Sequence, residues 1–232
     1  MTQRFKTIRE ALGRDSTLID EGVNDPGIFK AIYMAGGPGS GKSYVAGRTV
    51  PSSLGLKTIN SDDIFELGMK KNDLDFKMPD SEKDKRNTVR TRAKHLTGKR
   101  QSIYMKGRLG LLIDGTGKEY GNIKKSSDML KSFGYDTYMI FVNTSLEVAL
   151  ERNKQRPRTL PEKIVIDSWN KVQNNIGRFQ GYFGSGNMLI VDNNNASEDA
   201  LLTSYKQIRK FINKPIKNKE ALEWIKQQKK GK

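Results

Sequence analysis

The sequence predicts an α/β protein: a five-stranded parallel, doubly wound sheet with helices on both faces. Three observations carry this. Short apolar runs alternate with helix-patterned segments, the order that produces parallel strands joined by crossover helices. The first such run, Ile28 to Ala35, opens into Gly36-Gly37-Pro38-Gly39-Ser40-Gly41-Lys42-Ser43, a complete GxxxxGKS phosphate-binding loop. Acid-bearing turns then follow the second and third runs, at the strand ends where an open parallel sheet places its ligands.

A chain of 232 residues suits one such domain with short additions at either end, and 35% hydrophobic residues can still build a core around five strands. Forty-two Lys and Arg against 26 Asp and Glu leave a net charge of +16, which favours anionic partners, a nucleotide or a nucleic acid. The absence of cysteine excludes disulfides, thiolate metal sites and cysteine nucleophiles. The single histidine, His95, cannot make a multi-histidine zinc site and is expected on a basic helix surface. Neither a signal-peptide pattern nor an apolar run of membrane-spanning length is evident, so a cytoplasmic protein without a membrane partner is expected.

Residues 1–27 read as an N-terminal extension, with a short helix around Phe5 to Leu12 and a turn at Asn24-Asp25-Pro26-Gly27. After the first strand and its loop, a helix runs from Lys42 to about Thr49 and stops before Pro51. Leu56 to Asn60 is the second strand, and Asn60 caps the next helix with Asp63 three positions on. Residues 69–108 are strongly charged and predict one or two exposed helices crossing the sheet. Leu109 to Asp114 is the third strand, ending in Asp114-Gly115-Thr116-Gly117. A helix from Asn122 to Phe133 stops at Gly134. Thr137 to Asn143 is the fourth strand, followed by a capping box at Thr144 and Glu147 and a helix burying Leu146, Ala149 and Leu150. Asn187 to Asp192 is the fifth strand, and Leu201, Tyr205, Ile208 and Phe211 then recur at helical spacing. Beyond Pro215, a Lys-rich segment holds Leu222, Trp224 and Ile225 in a helix expected to dock. The organisation expected is therefore an extension (1–27), a core domain (28–214) and a basic C-terminal helix or tail (215–232).

The chemistry follows from the loop. Gly36, Gly37, Gly39 and Gly41, with Pro38 and Ser40, let successive backbone N–H groups face phosphate oxygens at the positive end of a helix. Lys42 brings a point charge to the terminal phosphates and Ser43 a hydroxyl to Mg²⁺. A nucleoside triphosphate with Mg²⁺ is the expected ligand. Asp62 and Asp63 lie at the mouth of the second strand. One carboxylate there can take the proton of an acceptor hydroxyl, or both simply complement the helix dipole. Asp114 can hold Mg²⁺ through water, or merely shape its turn. Its Asp-Gly-Thr-Gly also fits the DxxG of GTPases, but no guanine-reading NKxD follows, and no second acid follows Asp114 as motor ATPases commonly require. Arg152 and Arg156, four apart, share a helix face in Glu151 to Arg158. They form either a closing cationic lid or a solvated helix end.

The ordered set GGPGSGKS, NSDD, IDGTG and ERNKQR, spanning residues 28 to 195, resembles the P-loop kinases of the zeta-toxin and polynucleotide-kinase group. The resemblance implies an ATP·Mg²⁺ site and an arginine-bearing lid over a five-stranded parallel core. Lys42 and Ser43 take the phosphate and metal roles, Asp62 the general base, and Arg152 and Arg156 the lid; Asp62 and Thr116 are the acceptor-side contacts. Polynucleotide 5′-kinases carry an arginine three residues beyond the base, where this chain has Phe65. The DGTG turn is similar to that of zeta toxins, which phosphorylate nucleotide sugars. The reading that results is a kinase transferring phosphate from ATP to a small-molecule hydroxyl. A polynucleotide kinase, or a nucleotide-regulated binding protein without turnover, are the alternatives.

Overall fold

The computed structural model describes residues 23–51, 54–156 and 159–230. Its sheet comprises β1 (Lys30–Ala35), β2 (Lys57–Ile59), β3 (Leu111–Asp114), β4 (Asp136–Asn143) and β5 (Met188–Asp192), all parallel in the order β2-β3-β1-β4-β5. The helices are α1 (Lys42–Thr49), α2 (Asp62–Lys71), α3 (Lys83–Lys106), α4 (Tyr120–Ser132), α5 (Leu146–Lys154), α6 (Glu162–Gln173), α7 (Ile176–Phe183), α8 (Glu198–Ile212) and α9 (Lys219–Lys230). The five-stranded parallel sheet is the one expected, and each strand lies within a residue or two of its predicted bounds. The short helix read at residues 5–12 lies outside the described residues.

Strand pleat divides the core in two. Phe29, Ala31, Tyr33 and Ala35 point to one face, where Met139 and Phe141 join Leu130 of α4, Val172 of α6 and Phe179 and Phe183 of α7. Ile32 and Met34 point to the other, where Ile140 and Val142 meet Val45 of α1 and Leu201, Ile208 and Phe211 of α8. A smaller cluster of Phe65, Met69, Leu74 and Ala93 joins α2 to α3. Lys30 interrupts the apolar first strand. Its side chain is buried, and its ammonium lies 2.6 Å from the Asp136 carboxylate, which keeps the buried charge paired.

Three local expectations shift. The cap of α5 is Ser145, whose hydroxyl accepts from the Val148 N–H, rather than Thr144, which is buried. The charged 69–108 stretch, read as one or two helices, holds the end of α2 and then one continuous helix of 24 residues, α3, preceded by a single 3₁₀ turn at Asp80–Glu82. Finally, α6 and α7 went unread in the sequence. In α6 the buried face of Val165 and Val172 is interrupted by Ser168, which blurs the helical period, and α7 is only eight residues long, with Phe179 and Phe183 alone marking its buried face.

Candidate active site

Register brings the chemistry to one end of the sheet. Asp114 pairs with Met34, two residues before the phosphate loop, so the third strand ends level with the loop's entrance. The two turns are stitched together: Gly115 donates to the Met34 carbonyl at 3.1 Å and Gly36 to the Thr116 carbonyl at 3.0 Å. The Thr116 side chain stays exposed beside them.

The loop holds its shape through glycine and one asparagine. Gly39 and Gly41 have φ near 78° and 79°, and a Cβ on either would strike the Ala149 carbonyl or the Asn193 side chain respectively. Asn193, buried just past β5, donates to the Ser40 carbonyl at 2.7 Å. Lys42 curls over the loop and donates to the Gly36 carbonyl at 2.8 Å. Ser43 is exposed in the first turn of α1, where its hydroxyl can meet a cation.

Asn60 links the two acid-bearing turns. Its amide nitrogen donates to Asp114 Oδ2 at 3.2 Å, while its Oδ1 accepts the Asp62 N–H at 2.8 Å, fixing the start of α2. Asn60 was legible as a helix cap but not as this bridge. Burial is the main cause that raises the Asp114 pKa; Lys42 opposes it, and the carboxylates of Asp62 and Asp63 add to it. Burial likewise lowers the Lys42 pKa, opposed by Asp114 and Asp62 and reinforced by Arg156. Lys42, Asp62, Asp114 and Arg156 therefore share one field although they come from four parts of the chain.

The second oxygen of Asp114 is buried and has no hydrogen-bond partner. An orphaned carboxylate oxygen within the field of Lys42, which precedes Ser43 in the loop, fits a water-ligated Mg²⁺. Among the described residues no group of three or more His, Asp or Glu can hold a metal alone. A cation here would accordingly take most of its ligands from phosphate and water.

The arginines divide. Arg152 directs its guanidinium at the carbonyls of Asn193 and Asn194, at 2.8 and 3.0 Å, and so anchors the loop after β5. Arg156 is exposed and is the one that acts on Lys42. Between α5 and α6 the buried Asn153 reaches across the segment, donating to the Leu160 carbonyl at 2.8 Å and accepting from its N–H at 3.1 Å. Sequence reading missed this clamp because an asparagine in a basic run carries no pattern of its own.

Helix α6 lies over the loop. Trp169 backbone passes above Gly37, its indole N–H donates to the Thr144 carbonyl at 2.9 Å, and Gln173 donates to the Asn143 side chain at 2.8 Å. Asn175, between α6 and α7, donates to the carbonyls of Gly117 and Lys118 and holds the turn after Asp114. Phe65, one turn beyond Asp62, is buried, and the Arg90 guanidinium of α3 lies 4.0 Å from its ring centroid.

This strand order, with a phosphate loop after β1, is the fold of P-loop kinases. The chain belongs to the family described as AAA domain, whose model matches residues 32–179, from β1 through α7. No curated protein matches it. Among solved structures, a "putative kinase" from Chloroflexus aurantiacus shares 15% identity at a TM-score of 0.54, covering 77% of this chain and 97% of that one. The complex of AvrRxo1-ORF1 with ORF2 and ATP shares 12% identity at a TM-score of 0.57, covering 90% of this chain and 70% of that one. The sulphate-bound form of that complex gives 12% and 0.56. At these identities the likeness is one of fold, and the P-loop kinase group expected from the motifs is borne out. No helix among the described residues is long and apolar enough to cross a membrane.

Proposed function

We propose that the chain is an ATP- and Mg²⁺-dependent phosphotransferase that moves the γ-phosphate to a hydroxyl of a small molecule such as a nucleotide sugar. One observation carries the reading: Asn60 ties Asp62, at the acceptor side, to Asp114, beside the phosphate lysine. A protein that only binds nucleotide needs no carboxylate so placed.

In this reading the loop N–H groups and Lys42 hold the phosphates in line with the acceptor. Asp62 takes the hydroxyl proton as the new O–P bond forms and the bond to the ADP oxygen breaks. Mg²⁺ on Ser43, with Asp114 behind a ligand water, would neutralise charge on the phosphates. Arg156 faces the transferring group, while Arg152 positions the loop beside it. Thr116 and Asp62 contact the acceptor.

The test is incubation with γ-labelled ATP, Mg²⁺ and a pool of nucleotides, nucleotide sugars and oligonucleotides. Label should appear in a nucleotide sugar. The Asp62→Asn variant should transfer about 10²–10⁴-fold more slowly with ATP affinity nearly unchanged. Undiminished transfer by that variant rules out Asp62 as the base. Label confined to oligonucleotide ends replaces the acceptor class. ATP binding with no labelled product at all leaves a binding protein.

A further inference from the structure

Away from the phosphate loop, α2 and α3 enclose a groove of about 740 Å³. Its floor is apolar: Ile64 and Leu67 from α2, and Val89, Leu96 and Ile103 from α3. Three of these are large side chains left in water, with Leu67 58%, Leu96 40% and Ile103 65% exposed. They are not scattered. Val89, Leu96 and Ile103 recur every seven residues, a seam that drifts only about 20° per heptad around one helix and measures roughly 21 Å over 14 residues. Gly68 permits the close approach of α2 to Val89 at one end of the seam, where an added Cβ would fall 2.5 Å from the valine methyl.

The rim has one sign. Lys71, Arg92, Lys99 and Arg100 line the groove, and neither Asp nor Glu does. Over its whole length α3 holds nine Lys or Arg and a single Asp. A heptad-spaced apolar floor between cationic walls is complementary to an amphipathic helix with a leucine-type stripe and acidic flanks.

We infer that this groove docks an acidic amphipathic helix of about four turns from a partner protein. A second copy of this chain would set the same cationic rim against itself. A nucleic acid would match the rim but gain nothing from burying Leu67 and Ile103. The occupied groove would press on α2, the helix whose first turn carries Asp62, so a partner seated there touches the element that presents the proposed base.

The probe is a synthetic, fluorescently labelled peptide of roughly 16 residues with Leu at heptad positions and Glu on both flanks, compared with one in which every Glu is Lys. The full-length protein should bind the Glu peptide at least about tenfold more tightly than the Lys peptide by fluorescence anisotropy. Ile103→Asp and the pair Lys99→Glu/Arg100→Glu should each weaken binding at least about tenfold. Ile103 and Lys99 are exposed, so circular dichroism and ATP affinity should stay as in the parent. Equal affinity for the two peptides, or binding indifferent to Ile103→Asp, overturns the inference. Self-association abolished by Ile103→Asp would assign the groove to a second copy. Oligonucleotide binding lost in the Lys99/Arg100 variant but kept in Ile103→Asp would assign the rim to nucleic acid; either result also overturns it.

Discussion

Asp114 is poorly placed for stability, and in the proposed reaction the same placement suits it to a metal. Burial and the charges of Asp62 and Asp63 disfavour its carboxylate more than Lys42 favours it, and one oxygen is buried without a partner. Replacing it with Asn removes the charge but keeps the oxygen that accepts from Asn60. Asp114→Asn should therefore raise the thermal midpoint of the nucleotide-free protein at neutral pH while lowering kcat by about 10–100-fold. Scanning calorimetry and labelled-ATP assays read the two effects, and an unchanged or lower midpoint contradicts the stated burial cost. The phosphate loop, Asp62, Asp114 and the arginines were legible as residues because each belongs to a motif. Asn60 as a bridge, Asn153 as a clamp and Asn193 as a brace were not. An amide reveals its role only through the partner it finds, and the partners lie 54, 7 and 153 positions away.

At the scale of elements, the clamp of Asn153 on Leu160 ties the proposed chemistry to local structure. Asn153, near the end of α5, holds both polar groups of Leu160, just before α6. Asn153→Ala leaves those two groups without their side-chain partner, at a cost of about 1–3 kcal/mol each where water cannot replace it. The expected result is a looser Arg156: kcat falls about tenfold or more, while ATP affinity moves by less than about threefold. A matching loss in both would mean the clamp acts on the phosphate loop itself. The strands were readable at this scale because central parallel strands are nearly continuous apolar runs; β4 is buried through six of its eight residues. Helix α6 was not, because its partners are backbone carbonyls and side-chain amides at the strand ends rather than a hydrophobic face alone.

At the scale of the molecule, the basic C-terminal segment joins the core. Ala221 packs against Gly134, whose φ of 93° and crowded surroundings leave no room for a side chain, and Trp224 meets Phe29 edge-on at 5.5 Å. Leu222, expected with the docking face, points away and is about half exposed. Trp224→Ala should lower stability by about 2 kcal/mol, less than the 3–5 kcal/mol of a fully buried tryptophan, because the side chain is only partly covered. Denaturant unfolding measures it. A negligible change would return residues 215–232 to the status of an appended tail.

The contact between Asn193 and the Ser40 carbonyl also has a consequence for synthesis. The phosphate loop leaves the ribosome long before the amide that braces it, which follows 153 residues later, after all five strands. For most of translation the loop is present but unbraced, and β1 still waits for its neighbours β3 and β4. The braced cradle is complete only once β5 has joined the sheet, so nucleotide capture is expected to be a late event in the life of each new chain.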